Sequence, residues 1–297
     1  MRNSKFWGAL VIAFLTASNA GWSQEKQSVD EVGRELANPL GTLWNLNNNI
    51  EAIQFFDGDI NNGSAELGST TLLQPVMPIP LAGEGDAAWR MITRPIIPLV
   101  FSTPVPRGNN EFDHKSGIGD IQIPLLFSFP KTIVGENWIF GPGPLFEFPT
   151  ATTDALGVDQ YSMGGAIVVG YQTRNWTAIL FPNYLWKVGE SGQDSDTPDT
   201  SKGSLLYQFV YNLSDGWQFG TNPTITYNDQ ADSGNKWTVP VGGFISRTVQ
   251  FGSTPVNFRL GFEYNVVSPD DFGEVASIRL QITPVVPGLI QKPIFGR

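Results

Sequence analysis

Two neighbouring runs of this sequence alternate between apolar and polar residues, and this pattern constrains the fold more than any other feature. The runs cover residues 256–266 and 276–286. A period of two indicates a β-strand with two unlike faces. Here one face carries Arg259, Glu263 and Arg279, and the other carries large apolar side chains. A soluble sandwich also alternates in this way, so the pair alone does not identify a membrane protein.

The same alternation recurs along nearly the whole chain. From residue 42 onward there are twelve candidate strands, at about 43–54, 70–81, 89–101, 118–129, 138–148, 161–171, 176–186, 204–211, 217–227, 237–249, 256–266 and 276–286. Most have the roughly ten residues that a tilted strand needs to cross the hydrocarbon. Backbone groups in lipid must pair internally, so a spanning sheet must close. The sequence predicts an all-β, closed antiparallel transmembrane β-barrel of about twelve strands over residues 42–286.

The connections between these strands support the prediction. Every second one is short, and the others are mostly longer and polar, for example 55–69, 102–117, 149–160 and 187–203. Outer-membrane barrels have short periplasmic turns and longer extracellular loops. Proline inside six candidate strands is an objection, because proline removes a donor from the ladder. In a closed barrel we expect each of these prolines at a bulge or a strand end.

The first twenty residues have the features of a secretory signal peptide. Arg2 and Lys5 precede an apolar run over 6–16, and small residues lead to a predicted cleavage site after Ala20. An uncleaved anchor helix is the alternative, although the run is short for a span. Export followed by a barrel predicts the outer membrane of a Gram-negative cell as the location.

The next segment, residues 21–41, contains a helix signal. Ser28 and Glu31 have the spacing of a capping box, and Val32 and Leu36 would share one face of a short helix. We interpret 21–41 as a periplasmic N-terminal segment, with a plug inside the barrel as the alternative. Residues 287–297 form a C-terminal tail after the last strand.

Composition excludes several kinds of site and partner. The chain has no cysteine, so it has no disulfide or metal–thiolate site. Its net charge of −10 argues against a nucleic-acid partner. We expect no cofactor and no metal. The predicted partners are outer-membrane lipid and a small-molecule solute whose identity the sequence does not reveal, and the oligomeric state is open.

Two sets of residues are candidates for function. Charged residues on the polar strand faces are expected to face the lumen, where they either contact solutes or form a structural network; they are Glu51, Arg90, Arg94, Asp120, Glu147, Arg259, Glu263 and Arg279. Arg90 and Arg94 are the best candidates for a cationic site. Tryptophans near strand ends are expected to form an aromatic girdle at the headgroup level, with packing in a soluble core as the alternative; they are Trp44, Trp89, Trp138, Trp176, Trp186, Trp217 and Trp237.

Catalytic and metal sites have weak support in the sequence. His114, the one histidine, falls in the polar stretch 102–117 and is expected to be an exposed loop residue. Without a placed base, no serine is an activated nucleophile. The acidic tracts 57–59 and 190–199 have Ca²⁺-binding side chains, but we interpret them as solvated loop tips. We therefore expect the protein not to be an enzyme.

Several short motifs in a shared order resemble one bacterial family. They occupy residues 35–39, 74–76, 93–98, 117–120, 141–144, 149–151 and 237–240. In these motifs the chain resembles the phenol-degradation meta-pathway family of outer-membrane transporters, some of whose members carry the label neuromedin U-like. The resemblance covers roughly residues 35–286. It implies an outer-membrane β-barrel that passes small or aromatic molecules, and it brings no functional residues with it.

The sequence thus predicts a porin-like barrel that acts as a passive channel or transporter for small, aromatic or hydrophobic solutes. A structural or surface-interaction barrel with an occluded lumen is the main alternative. A membrane-embedded hydrolase is a more distant one.

Overall fold

The computed structural model describes residues 27–61, 64–108, 111–191 and 198–295. The predicted signal peptide at 1–20 lies outside the described residues. The strands are β1 (Asn45–Asp57), β2 (Glu66–Ala82), β3 (Trp89–Thr93), β4 (Ile97–Gly108), β5 (Glu111–Ile118), β6 (Ile121–Ser128), β7 (Trp138–Phe148), β8 (Gln160–Gln172), β9 (Trp176–Glu190), β10 (Ser201–Asn212), β11 (Trp217–Thr221), β12 (Thr224–Asn228), β13 (Trp237–Phe251), β14 (Thr254–Val267) and β15 (Gly273–Pro284). The α-helices are α1 (Val29–Leu36) and α2 (Lys131–Val134), and short 3₁₀ turns span Asp59–Asn61, Gly85–Ala87 and Asp154–Leu156.

The strands form one closed antiparallel sheet. Strand β1 pairs with β2 on one side and with β15 on the other, so the sheet has no free end. Three positions around the ring are each filled by two collinear strands, namely β3 with β4, β5 with β6, and β11 with β12. We call each of the twelve positions a stave, numbered in chain order. The predicted closed barrel of twelve spanning segments is confirmed.

The two ends of the barrel differ in their connections. At the terminal end, where β1 begins and β15 ends, the connections are short, and the one between β13 and β14 contains only residues 252–253. At the opposite end, the loop end, several connections are longer, as at 149–159 and 191–200. The alternation of short turns and longer loops is as predicted.

One predicted loop is wrong. The stretch 102–117 is mostly a continuation of the sheet, because β4 runs to Gly108 and β5 starts at Glu111. Cross-strand pairs such as Pro104 with His114 join the two strands beyond the part expected to cross the membrane. The polar side chains that suggested a loop belong to a hairpin that continues past the bilayer.

The prolines of the candidate strands occupy several kinds of position. Pro95 and Pro223 lie in the breaks within staves, and Pro284 is the last residue of β15, as expected for residues without a ladder donor. Pro142 and Pro144 lie inside β7, so the prediction of bulges or strand ends is wrong for them. Both pair with β8, whereas the described β6–β7 ladder covers only residues 121–124 of β6. The missing donors thus fall on a side where the ladder is incomplete.

The end of β2 is a local edge of the sheet. The β1–β2 ladder stops at Asn45 and Val76, so the next residues of β2 pair only with β3. Pro78 and Pro80 lie on this edge. Their carbonyls accept hydrogen bonds from Trp44 Nε1 at 3.0 Å and from the backbone N–H of Ile294 at 3.2 Å. In an antiparallel strand, the N–H and C=O of one residue point toward the same neighbouring strand. Trp44 and the C-terminal tail therefore cover the side of β2 on which Pro78 and Pro80 lack an N–H donor.

Burial follows the alternation of the sequence. On β14, Phe258, Leu260, Phe262 and Tyr264 are 40–52% exposed, whereas Asn257 and Glu263 are 2% and 6% exposed. Apolar side chains therefore form the outer surface, and polar ones face inward. Among the described residues, no helix is long and apolar enough to cross a bilayer.

Helix α1 carries the predicted capping box. The Ser28 side chain accepts from the backbone N–H of Glu31, and the Glu31 carboxylate accepts from the backbone N–H of Ser28. These hydrogen bonds, the backbone one first, hold the pKa of Glu31 below its usual range.

The segment from α1 to Leu43 contacts the inward-facing side of the sheet near the terminal end. Gln172 and Gln208 donate to the carbonyls of Arg34 and Ala37 at 2.9 and 2.7 Å. Gly33 lies so close to Thr248 that an added Cβ would be 3.0 Å from its Oγ1. These contacts favour the alternative of a lumenal plug, which we develop as a proposal below.

The interior has an apolar half. Inward-facing residues of β3 and β6–β9 form one buried cluster with Leu40 of the N-terminal segment; they are Ile92, Leu126, Ile139, Leu145, Ala166, Val168, Ile179 and Leu185. Stave 7 therefore departs from strict alternation because its inward residues, such as Ile179, pack in this cluster. The charged inward residues of β1, β14 and β15 lie in the other half. The lumen thus has an apolar wall and a polar wall.

Two neighbouring glycines of β8 test this packing. Gly164 faces inward, and a Cβ there would be 1.7 Å from the carbonyl oxygen of Tyr184; at Gly165 it would have nothing within 4 Å. We expect Gly164→Ala to destabilise the barrel by about 1–3 kcal/mol, because the β9 backbone must move. Gly165→Ala should be close to neutral. Urea unfolding in lipid vesicles checks both, and equal midpoints would contradict the close approach.

Candidate functional site in the barrel lumen

An ion-paired cluster lies on the polar wall. The Arg279 guanidinium forms an ion pair with Glu51 at 2.8 Å and donates a hydrogen bond to Glu263 at 2.6 Å. Gln54 Nε2 donates to Glu51 at 2.6 Å and to Glu274 at 2.7 Å. One arginine therefore joins carboxylates from β1 and β14, and the amide of Gln54 extends the network toward the loop end.

A small cavity adjoins this cluster. Its lining comes from β1, β13, β14, β15 and the break in stave 9; the residues are Asn49, Asn222, Gly243, Phe244, Arg259, Gly261, Glu263, Arg279 and Gln281. The guanidinium carbon of Arg259 lies 3.7 Å from the centroid of the Phe244 ring, which is a cation–π contact. Phe244 also packs against Ala37, so the cavity lies next to the N-terminal segment.

Arg90 and Arg94 share the inward face but have different surroundings. Arg94 donates through Nε to Gln74 Oε1 at 3.1 Å, and its Nη2 bonds the same oxygen. Arg90 lies in β3, closer to the terminal end. The cationic site predicted from their four-residue spacing stays a prediction.

Glu147 and Asp120 are each held by other groups. Glu147 is 2% exposed, forms an ion pair with Lys202 at 2.9 Å and accepts a hydrogen bond from Gln122 at 2.6 Å. The Asp120 carboxylate lies between β5 and β6 and accepts the backbone N–H groups of Thr150, Ala151 and Val158 at 2.9–3.0 Å. Asp120 therefore holds the 149–159 loop against the barrel.

The seven tryptophans lie in two bands. Trp44, Trp89, Trp138, Trp176 and Trp217 lie at or next to strand starts at the terminal end, and Trp186 and Trp237 lie toward the loop end. Neighbouring aromatic rings extend the first band, because Tyr171 contacts both Trp138 and Trp176. On β9, Trp176 and Trp186 are ten residues apart on one face, a spacing that fits an apolar band about 25 Å tall for a tilted strand. Their role as a girdle remains a prediction.

One polar row was not predicted. His114 lies in β5, where its Nδ1 is 2.8 Å from Ser102 Oγ and its Nε2 is 3.5 Å from Glu66 Oε2. The expectation that His114 is a loop residue is wrong, because the 102–117 stretch forms a hairpin. Only the pairing of β2, β4 and β5 brings these three residues together, so their separations in the sequence gave no signal.

The geometry defines a class of protein before any comparison is made. A closed twelve-stave barrel with an apolar exterior, aromatic rows near both ends and a polar-lined cavity is an outer-membrane β-barrel of the channel type. Its place is the outer membrane. This agrees with the predicted location, although the predicted cleavage site lies outside the described residues.

The chain matches the description of one protein family. Residues 57–270 match the family described as "Putative MetA-pathway of phenol degradation", and the chain belongs to this family. The resemblance found in the short motifs is thereby confirmed. No curated protein sequence matches the chain significantly.

Among the solved structures similar to this chain, a bacterial outer-membrane channel shares the fold. The COG4313 outer membrane channel from Pseudomonas putida F1 is 12% identical, with a TM-score of 0.59 and coverage of 82% of this chain and 95% of that one. The NanC porin is 11% identical, with a TM-score of 0.48 and coverage of 82% and 99%. The toluene transporter TodX of Pseudomonas putida is 12% identical, with a TM-score of 0.38 and coverage of 85% and 92%. At these identities the likeness concerns the fold alone.

Proposed function

We propose that this protein is a passive outer-membrane channel for small apolar or aromatic solutes. One observation carries the proposal: a closed barrel has a polar-lined cleft on its inner face, and an aromatic ring, Phe244, is part of its lining. Membership of a family described by phenol degradation supports an aromatic solute.

The two-sided lumen supports the same proposal. An aromatic molecule with one polar group presents an apolar face and a hydrogen-bonding edge. The apolar cluster around Leu40 and the amides of Asn49, Asn222 and Gln281 offer complementary surfaces within one lumen. We propose that the lumenal charges orient solutes in addition to holding the barrel wall, and that the tryptophan bands anchor it in lipid.

A barrel with an occluded lumen is the second candidate. The position of residues 29–43 favours it. This segment contacts inward-facing glutamines, and its Leu40 is buried in the apolar cluster, so it fills space near the terminal end. We propose that this segment is a plug that narrows the channel. An occluded barrel predicts no conductance, whereas a narrowed channel predicts a small one.

We further propose that the protein has no hydrolytic activity. The Ser102–His114–Glu66 row has a nucleophile, a base and a carboxylate, but the 3.5 Å contact to Glu66 is long and the His114 side chain is 45% exposed. A base in solvent is weakly oriented for proton transfer. Purified protein should neither hydrolyse p-nitrophenyl esters nor react with a fluorophosphonate probe. Labelling that Ser102→Ala abolishes would overturn this proposal.

A tryptophan inside the cavity should block the channel. Asn49 lines the cavity and makes no side-chain hydrogen bond within the described residues, so Asn49→Trp fills space without breaking one. We expect this variant to lose most of its ion conductance in planar bilayers. Cells that express it should also take up the apolar dye N-phenyl-1-naphthylamine more slowly than cells with the wild type.

The matched control places the same residue in lipid. Leu180 is 52% exposed on the outer face, and Leu180→Trp should behave like the wild type in both assays. A sealed bilayer at all voltages, together with dye uptake equal to that of cells lacking the protein, would favour the occluded barrel.

A further inference from the structure

The barrel wall between staves 4 and 5 has an interrupted ladder. The described β6–β7 ladder covers residues 121–124 of β6 and stops there, whereas β7 pairs with β8 along nearly its whole length. Nearer the terminal end, the two strands are joined again by a hydrogen bond from the backbone N–H of Phe129 to the carbonyl of Phe140 at 3.3 Å. We call the stretch between these points, residues 125–128 of β6 and 141–144 of β7, the seam.

Two prolines of β7 explain the interruption. When the register of the ladder is continued, Pro144 lies opposite Leu125. Two residues further along, Pro142 lies opposite Phe127. The carbonyl oxygen of Leu125 points toward β7, because a Cβ added at Gly143 would lie 1.8 Å from it. Proline has no N–H to donate to such a carbonyl. A sheet that spans a membrane must pair its backbone groups internally, so the loss of two neighbouring donors weakens the wall here.

The seam is apolar on both of its faces. On the inner side, Leu126 of β6 and Leu145 of β7 belong to the apolar cluster of the lumen. On the outer side, Phe127 is 37% exposed and belongs to the lipid-facing surface. Residues 141–144 are the middle of β7, whose length is close to that needed to cross the hydrocarbon. The seam contains no charged residue, so one strand junction separates the apolar wall of the lumen from lipid.

Leu40 of the N-terminal segment covers the inner face of the seam. A Cβ added at Gly141 would lie 2.5 Å from Leu40 Cδ1, so the leucine packs directly on the glycine backbone. Leu40 lies outside every strand, so its movement would break no ladder hydrogen bond. The same side chain therefore fills the lumen and closes the seam from within.

We propose that the seam opens as a lateral exit through which small apolar solutes pass from the lumen into the hydrocarbon of the outer membrane. Separation of β6 from β7 breaks fewer hydrogen bonds here because Pro142 and Pro144 have already removed two donors. An apolar molecule gains free energy by entering hydrocarbon, whereas entry into water is unfavourable. The proposal deepens the proposed function, on which it rests, by giving the route by which the solute leaves.

Replacement of the two prolines tests the exit. The double variant Pro142→Ala and Pro144→Ala restores both N–H donors, so the closed seam gains two hydrogen bonds. Cells that express this variant should take up N-phenyl-1-naphthylamine several-fold more slowly than cells with the wild type. Its ion conductance in planar bilayers should be unchanged, because ions follow the lumen. Pro182→Ala is the matched control: Pro182 is an exposed proline inside β9, away from the seam, and its replacement should change neither readout.

A reversible cross-link tests the same movement within one folded molecule. The chain has no cysteine, so Phe127→Cys and Pro142→Cys introduce a single pair across the seam. Residues that face each other on antiparallel strands lie within the Cα separation that a disulfide spans. Oxidation should slow dye uptake and reduction should restore it, with the same conductance in both states.

Each outcome decides the proposal. Dye uptake that neither the proline replacements nor oxidation slows overturns the lateral exit. An equal loss of dye uptake and conductance also overturns it, because the changes would then narrow the lumen. Equal slowing by Pro182→Ala overturns it as well, because the effect would not belong to the seam. Migration on unheated gels shows whether a variant has folded; if the double proline variant does not fold, the oxidised and reduced forms of the cysteine variant carry the test.

The two proposals fail separately. If oxidation of the seam slows dye uptake but Asn49→Trp leaves conductance and dye uptake unchanged, the channel through the cavity fails and the lateral exit stands. If Asn49→Trp behaves as expected but the seam variants take up dye like the wild type, the lateral exit fails and the channel stands.

Discussion

Deletion of residues 27–41 should raise the single-channel conductance of the barrel several-fold. Helix α1 and Leu40 fill part of the lumen near the terminal end, and none of these residues belongs to a strand ladder. The sheet closes through β1, β2 and β15, so it should still form without them. Planar-bilayer recordings of the refolded proteins, with the signal peptide replaced by a start codon, measure the change.

Point substitutions distinguish the contribution of Leu40 from that of the helix cap at Ser28. Leu40→Asp puts a carboxylate in the apolar cluster, where an unpaired charge is costly, and should raise conductance as the deletion does. Ser28→Ala removes only the capping interaction, which is worth about 0.5–2 kcal/mol, and leaves Leu40 in place. It should change conductance little. A deletion variant that folds but conducts like the wild type would show that the segment does not narrow the pathway.

Arg279→Met should destabilise the barrel by about 3–5 kcal/mol, because it leaves the buried carboxylates of Glu51 and Glu263 without their shared donor. Urea unfolding in lipid vesicles, followed by tryptophan fluorescence, measures the shift. Lys131→Met is the control, since its 3.5 Å contact with Asp86 is exposed on both sides and should contribute less than about 1 kcal/mol.

Removal of the carboxylate charges provides an internal test. The triple variant Glu51→Gln, Glu263→Gln and Arg279→Met no longer buries unpaired charge and should recover much of the lost stability. If Arg279→Met unfolds at the same urea concentration as the wild type, the cluster does not stabilise the wall.

Alternation was enough to predict the class and the number of staves. On β14 the large side chains must face lipid and the charged ones must not, so a period of two is imposed by the solvents on either side. The same physical constraint places Arg259, Glu263 and Arg279 on the inner face. The lengths of the connections likewise predicted at which end of the barrel each turn lies, because the length of a connection is a local property of the sequence.

Features that depend on distant contacts could not be predicted. Ile179 breaks the alternation because it packs against Leu40, which comes from a segment more than a hundred residues earlier. Glu147 on β7 and Lys202 on β10 form an ion pair across three staves, a relation set by the tilt and stagger of the strands rather than by spacing. The breaks at Pro95 and Pro223 were visible as prolines, but the sequence does not say whether a proline ends a strand or only interrupts it.

An ion pair lies at the junction between β1 and β15. Glu51 lies directly opposite Arg279 where these strands meet, although they are the strands most distant in the chain. A misalignment by one residue would turn one of the two ionic groups toward acyl chains, and a misalignment by two would pull them apart. Closure of the barrel between β1 and β15 therefore favours the one alignment in which Glu51 and Arg279 meet.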